Sequence, residues 1–349
     1  MLKCLRIIVS PLVFVYLAIT KTRNWFFDKG FFKISRLNDA KVISIGNITV
    51  GGSGKTPAVQ MLAEMLKLKR KNIGLLSRGY GRSSFGYVSV SDGKSMKTTV
   101  DECGDEMYFM CEELKVPAAV AERRVEGATR LIRETGVDTI ILDDAFQHRW
   151  LYRDIDIVIF DQQFLLKVGQ FEQNLLPLGV MRESFNSLER ADQIIINRKF
   201  SEKAELPAEL KKYFRNKSVF TGYYKEKGIF DVKTRNFFDL KEFQGQKGLV
   251  VCGVARPESF LDALKKNHID VTNKMIFPDH KNYSLKEVHD IRKKFYDTNS
   301  YSVLTTQKDA VKFNKYSKEL DDIDIYYLKI ELALDEQEKF NKLILQSIN

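Results

Sequence analysis

The chain is poor in cysteine. Its four cysteines, Cys4, Cys103, Cys111 and Cys252, form no CxxC pair and no Cys/His cluster, which excludes a disulfide framework and a zinc site and fits a reducing compartment. No stretch approaches the ~20 consecutive apolar residues that a membrane-spanning helix needs, and the N-terminal apolar run from Ile7 to Ile19 stops well short of it. Internal repeats and low-complexity tracts are missing as well. Acidic residues are outnumbered, 46 against 56 Lys and Arg, which leaves a formal net charge of +10. A nucleic-acid partner would use such an excess, but the basic residues are scattered and neither an RNP1 motif nor a paired Cys/His finger is present, so no nucleic acid is expected. What is there is an ordinary globular composition, 44% hydrophobic and 29% charged over 349 residues, long enough for two domains. Oligomeric state leaves no signal in it.

The most informative stretch is "VISIGNITVGGSGKTPAVQMLAEML", Val42 to Leu66. Val42, Ile43 and Ile45 read as a buried strand, while Val59, Met61, Leu62, Met65 and Leu66 recur at helical spacing. A glycine-rich bend at such a junction converges backbone N–H groups on an anion at a helix N-terminus. Thr49, Val50, Gly51, Gly52, Ser53, Gly54, Lys55 and Thr56 are therefore the expected nucleotide-binding residues, with Lys55 reaching the β/γ-phosphates and Thr56 holding Mg²⁺. The match to G-x-x-x-x-G-K-[ST] is incomplete, because Thr49 stands where the first Gly belongs. Gly51 and Gly52 are placed to supply the missing backbone freedom. The competing reading is a loop that merely turns the chain.

Further along, short β-branched runs alternate with helical stretches, the pattern of a parallel sheet with crossover helices and function at the strand carboxyl ends. "DTIILDDAFQH" places Asp143 and Asp144 at the end of a buried strand, where a Mg²⁺ on the loop Thr needs a carboxylate from the opposite side. Gln147 and His148 follow, as phosphate or substrate contacts or, for His148 equally, as structure. Asp105 and Glu106 in "ECGDEMYFM" offer a carboxylate to accept a hydroxyl proton or a solvated helix cap. Arg78, Tyr80 and Arg82 in "LLSRGYGR" and Arg182 in "LLPLGVMRES" are candidate anion contacts.

The N-terminus carries Lys3 and Arg6 before its apolar run, and Lys21, Arg23, Lys29, Lys33 and Arg36 after it, interleaved with Trp25, Phe26, Phe27, Phe31 and Phe32. A cleaved signal peptide would carry an ATP-type site away from ATP, and a buried core helix sits poorly with Pro11 among these residues. A monotopic anchor whose cations meet anionic headgroups is expected.

Taken in order, "GNITVGGSGKTP", "LLSRGYGR", "GDE", "LDDAFQHRWLYRDIDIVIFD", "LLPLGVMRES", "FPDHKNYS" and "TTQKDAVK" resemble the tetraacyldisaccharide 4′-kinase family, the lipid A 4′-kinases. The resemblance implies transfer of the ATP γ-phosphoryl to the 4′-hydroxyl of a tetraacyldisaccharide 1-phosphate, a lipid A precursor, at the cytoplasmic face of the bacterial inner membrane. It implies ATP and Mg²⁺ as cofactors. It carries Lys55 and Thr56 over as phosphate and Mg²⁺ residues, Asp143 and Asp144 as the acidic metal pair and Asp105 as the base. His280 would assist Asp105 across an interdomain cleft, and Arg182 and His148 would contact substrate or phosphate. Four positions depart from the family pattern: Met107 and Ser184 stand where Pro is usual, Ala145 where Gly is usual, and Gln307 where Glu is common.

The expected fold is α/β, a P-loop NTPase-like, mostly parallel sheet with helices on both faces plus a smaller C-terminal α/β domain joined by a β-ribbon. The expected division is a membrane-associating segment 1–36, a kinase domain 37–218, a ribbon 219–247 and a C-terminal domain 248–349. Arg256 and Pro257 face the cleft or form a plain strand-to-helix turn. The rival functions are a membrane-associated ATPase switch of the ParA/MinD type, which would carry a Lys where Val50 stands, and a GTPase, which would need an N-K-x-D motif that is missing. A P-loop kinase for a soluble substrate is the nearest enzymatic alternative.

Overall fold

A computed structural model describes residues 2–348, with side chains from Ser10 onward, so the Lys3, Arg6 and Ile7 side chains counted toward the anchor lie outside the described residues. The strands are β1 (Lys41–Gly46), β2 (Ile73–Ser77), β3 (Val88–Asp92), β4 (Pro117–Val120), β5 (Thr139–Asp143), β6 (Ile155–Asp161), β7 (Gln193–Asn197), β8 (Ser218–Asp231), β9 (Phe237–Phe238), β10 (Gly248–Cys252), β11 (Asn273–Ile276), β12 (Ser302–Thr306) and β13 (Ile325–Leu334). They form one sheet in the order β11-β10-β12-β13-β8-β7-β6-β1-β5-β2-β4-β3, with β9 paired to β8. Neighbours are parallel except β3/β4, β8/β9 and β8/β13.

The central strands are buried along their whole length, so they read as continuous apolar runs and not as alternation. Successive side chains still point to opposite faces. Ile43, Ile45 and Ile141 join a core with the helices Lys55–Leu68 and Asp105–Leu114. Val42, Ile140 and Leu142 join a second core with the helix Arg124–Thr135. Helices thus cover both faces, and each fully buried aliphatic contributes roughly 1.5–3 kcal/mol of transfer free energy. Met107, in the first turn of the Asp105 helix where Pro would be tolerated, is 1% exposed and fills the first core.

The segment expected as a linking ribbon is part of the sheet itself. Strand β8 is 14 residues long; Ser218–Gly222 pairs parallel with β7, and Gly222–Asp231 pairs antiparallel with β13. The polar alternation of its second half has the look of a free ribbon, yet it joins two parallel sets of strands that run in opposite senses. The C-terminal helix Gln337–Ile348 then returns to the first set, packing Phe340, Ile344 and Ile348 into the core of Ile43 and Leu62.

The N-terminal helix, Leu2–Asp28, lies along the loops at the carboxyl ends of the first strand set. Tyr16 donates to the Arg182 carbonyl (3.0 Å) and Asn24 to Glu183 Oε2 (2.7 Å), and Phe27 packs edge-on to Trp150. Leu12, Phe14, Val15, Ile19 and Trp25 face away, each about half exposed or more. No helix among the described residues is long and apolar enough to cross a membrane.

Candidate active site

The glycine-rich turn leaves β1 at Gly46 and enters its helix at Lys55. Its path is fixed from several sides: Val50 N donates to the Val180 carbonyl (2.8 Å), Asn47 Nδ2 to Ser53 Oγ (2.9 Å), Gln147 Nε2 to the Asn47 carbonyl (2.9 Å) and Asn197 Nδ2 to the Ser53 carbonyl (3.1 Å). Gly51 and Gly54 take φ of +98° and +99°, the left-handed region that side chains disfavour. A Cβ on Gly54 would also lie 2.3 Å from Asn197 Nδ2 and 2.7 Å from the Tyr224 hydroxyl. Thr49, in the place of the usual first glycine, is buried and bridges to Met181, so Gly51 carries the bend instead.

Strand β5 delivers the acidic pair beside this turn. Asp143 accepts from Ser77 Oγ (3.3 Å), while its buried Oδ1 has no hydrogen-bond partner among the described residues. Burial, with Glu106 and Asp144 nearby, raises its carboxyl to about 7. Asp144 is held in a two-pronged pair by Arg182, Nη2 to Oδ1 at 2.7 Å and Nη1 to Oδ2 at 3.1 Å, and lies 3.8 Å from Lys55 Nζ. Burial works to raise its carboxyl, but Lys55 and Arg182 outweigh it and hold it below the ordinary value. Hard oxygen donors with one buried lone carboxylate oxygen suit Mg²⁺. The described residues contain no group of three or more His, Cys, Asp or Glu able to hold a metal ion, so a Mg²⁺ here would need oxygen ligands from the substrate phosphates or water as well.

Across the cleft, Asp105 opens the helix Asp105–Leu114. Its Oδ1 is 3.1 Å from His280 Nδ1 and accepts from Glu106 N (2.9 Å), and its Oδ2 is 2.8 Å from Lys312 Nζ. Burial would raise this carboxyl, but the His280 hydrogen bond and the charges of Lys308 and Lys312 hold it well below the usual carboxylate range. Lys308 lies 2.8 Å from Glu106 Oε1 and 3.4 Å from His280 Nε2. The ammonium has only protons to offer, so His280 accepts at Nε2 and donates from Nδ1 to Asp105. Tyr80, largely exposed, sets its ring 4.9 Å from that of His280.

These groups share a cavity of about 950 Å³. Every expected site residue lines it except Asp105, whose carboxylate is directly behind His280, and Arg82, whose guanidinium turns instead to Glu122 and the Gly86 carbonyl. Arg78 forms no ion pair among the described residues, and buried Arg124 donates only to the Ala121 and Glu122 carbonyls. Both add positive charge to the wall near His148. Burial, then Arg124, Arg153, Arg23 and Arg78, lowers the His148 imidazole to about 4, and its Nε2 has no hydrogen-bond partner among the described residues. Arg256 also reaches the cleft, pairing with Asp161 (2.5 Å) beside Lys199 (2.7 Å).

Sequence reasoning assigned no site role to Arg124, Lys308, Lys312, Asn197 or Tyr224. Lys308 and Lys312 stand four apart in "TTQKDAVK", a spacing that puts both on one helix face. That was the available signal. Gln307, where Glu is common, accepts from Ile330 N (3.2 Å) through Oε1, a role that Glu would fill equally.

The family model described as tetraacyldisaccharide-1-P 4′-kinase matches residues 5–349. The tetraacyldisaccharide 4′-kinase of Aquifex aeolicus is 34% identical over 343 residues, covering 97% of this chain and 98% of that protein. That of Halothermothrix orenii is 35% identical over 355 residues, covering 95% of this chain and 90% of that protein. The crystal structure of LpxK from Aquifex aeolicus in complex with ATP superposes with a TM-score of 0.81 at 32% identity, covering 99% of this chain and 100% of that one.

Proposed function

The chain belongs to the tetraacyldisaccharide 4′-kinase family, and on that footing we propose how its residues carry out transfer of the ATP γ-phosphoryl to the 4′-hydroxyl of a tetraacyldisaccharide 1-phosphate. The observation that carries this reading is one cavity with the glycine-rich turn and acidic pair on one wall and His280, backed by Asp105, on the other.

In this reading the turn Thr49–Thr56 cradles the nucleotide phosphates, and Lys55 and Arg182 balance the charge of the transferred group. Thr56, Asp143 and Asp144 would hold Mg²⁺, which when bound would neutralise charge on the phosphates. The 4′-oxygen forms the new P–O bond as the bond from γ-phosphorus to the β,γ-bridging oxygen breaks, and ADP leaves. The hydroxyl proton passes to the Asp105 and His280 pair, which acts as one acceptor. Arg78, Arg124, Gln147, His148, Tyr80 and Glu106 orient the disaccharide. We divide the chain functionally as its sequence suggests, into an anchor, a phosphate-binding part and a C-terminal part that brings His280 and Lys308 to the cleft.

The outward face of the N-terminal helix, with Leu12, Val15 and Ile19 along one side, docks on the cytoplasmic face of the inner membrane, where the acyl chains of a lipid A precursor remain in the bilayer. A ParA/MinD-type switch is not favoured, since Val50 replaces its second lysine and the family match spans the chain. The test is incubation of the protein with ATP, Mg²⁺ and tetraacyldisaccharide 1-phosphate, read by mass spectrometry. One added phosphate, at the 4′ position, is expected; an unchanged lipid alongside released phosphate would point to a simple ATPase.

A further inference from the structure

The helix Asp105–Leu114 and the turn before it are tied to the C-terminal half by ion pairs: Asp101 to Lys315 (2.5 Å), Asp105 to Lys312 (2.8 Å), Glu106 to Lys308 (2.8 Å), Glu112 to Arg235 (2.8 Å) and Glu113 to Lys329. Most are partly exposed, where a pair contributes little. The pair on Asp105 differs: Asp105 is 6% exposed, Lys312 4% and Asp309 0%. A lysine this deep is held there only by its partners, and its acidic partners are two, Asp105 Oδ2 and, at 3.5 Å, Asp309 Oδ1. Asp309 is itself anchored by Gly253 N (2.9 Å) and Thr306 Oγ1 (2.8 Å). A chain of contacts therefore runs from the end of β10, through Asp309 and Lys312, to the carboxylate behind His280.

We propose that Lys312 is a positioning residue of the phosphoryl transfer: its buried ammonium, clamped between Asp309 and Asp105, fixes the Asp105 carboxylate beside His280 and across the cleft. This rests on the assignment of proton acceptance to Asp105 and His280. With His280 on Oδ1 and Lys312 on Oδ2, neither carboxylate oxygen is free to turn away from the imidazole. The charged and titratable groups facing Asp105 are His280, Lys308 and Lys312 from the C-terminal half, and Glu106 and Cys103 from its own side. Removing Lys312 takes a cation from a desolvated carboxylate, which favours protonation of the pair whichever member holds the proton.

The test is the pH profile of kcat at saturating ATP and lipid for the wild type, Lys312→Met, Lys312→Arg, Lys312→Met/Asp309→Asn and Asp105→Asn. The double variant removes one charge of each sign, so it keeps the charge of the cluster closed if Lys312→Met fails to fold. Loss of Lys312 is expected to lower kcat at pH 7 roughly 10- to 100-fold and to move the acid limb up by about one pH unit or more, with KM for ATP within about twofold and partial recovery in Lys312→Arg. An acid limb that stays at the wild-type pH in both Met variants, with Asp105→Asn inactive, overturns the role of Lys312 alone. Wild-type turnover by Asp105→Asn overturns the proton-acceptor assignment and this inference with it.

Discussion

Asp105 and His280 stand 175 positions apart in the chain and 3.1 Å apart in the structure. One begins a helix of the first half, and the other sits, at φ +54°, in the loop between β11 and the helix Leu285–Asp297. Their contact exists only because β8 and β13 join the two parallel strand sets so that both open on the same cavity.

On the phosphate wall, Lys55→Ala and Asp144→Ala are each expected to lower turnover at least about 100-fold. Asp144→Ala also frees Arg182 and Lys55 from their shared carboxylate, so ATP should still bind while its Mg²⁺ dependence weakens. Steady-state kinetics across a Mg²⁺ titration checks this; full activity in either variant would move the nucleotide site elsewhere.

His148 sets a pH dependence of stability. Its folded value of about 4 lies below the ordinary ~6.5 of an unfolded imidazole, so above pH 6.5 both states are neutral and nothing is lost. As pH falls from about 6.5 to 4 the unfolded chain binds a proton that the native state refuses, and stability drops. Discounted for partial exposure, the loss between pH 7 and 5 is on the order of 1 kcal/mol. Urea unfolding at the two pH values should show a smaller difference for His148→Gln than for the wild type, and equal differences would contradict the assignment.

The glycine-rich turn and the acidic pair were legible because each is contiguous and follows a strand whose residues are uniformly apolar. The pairing of Asp105 with His280 was not derivable from spacing; it came with the family resemblance. Lys312, within "TTQKDAVK", carries no legible signal of its role, since two lysines four apart on a short helix normally face solvent. Arg124 was hidden for a similar reason, inside "ERR" at a helix start. The continuity of the sheet was missed because β8 changes partners halfway, and its outer half alternates like a free ribbon.

The N-terminal helix turns Tyr16, Asn24 and Phe27 inward and Leu12, Val15 and Ile19 outward. Replacing the latter three with Ser or Gln should cut binding to anionic vesicles roughly tenfold or more while preserving the fold, since apolar burial and charge both hold an interfacial helix. Flotation with vesicles at low and high salt reads this, with high salt alone only partly releasing the wild type. Unchanged flotation of the triple variant would reject the helix as the anchor.

The most direct measurement is the double-mutant cycle on kcat with Asp105→Ala, His280→Ala and the combined variant. Asp105→Ala is expected to lose about 10²- to 10⁴-fold and His280→Ala less, each with little change in ATP affinity. If the two residues accept the hydroxyl proton as one unit, the combined variant is hardly slower than Asp105→Ala. If the two losses multiply as independent factors, the pair is not a unit, and the proposed proton acceptor is wrong.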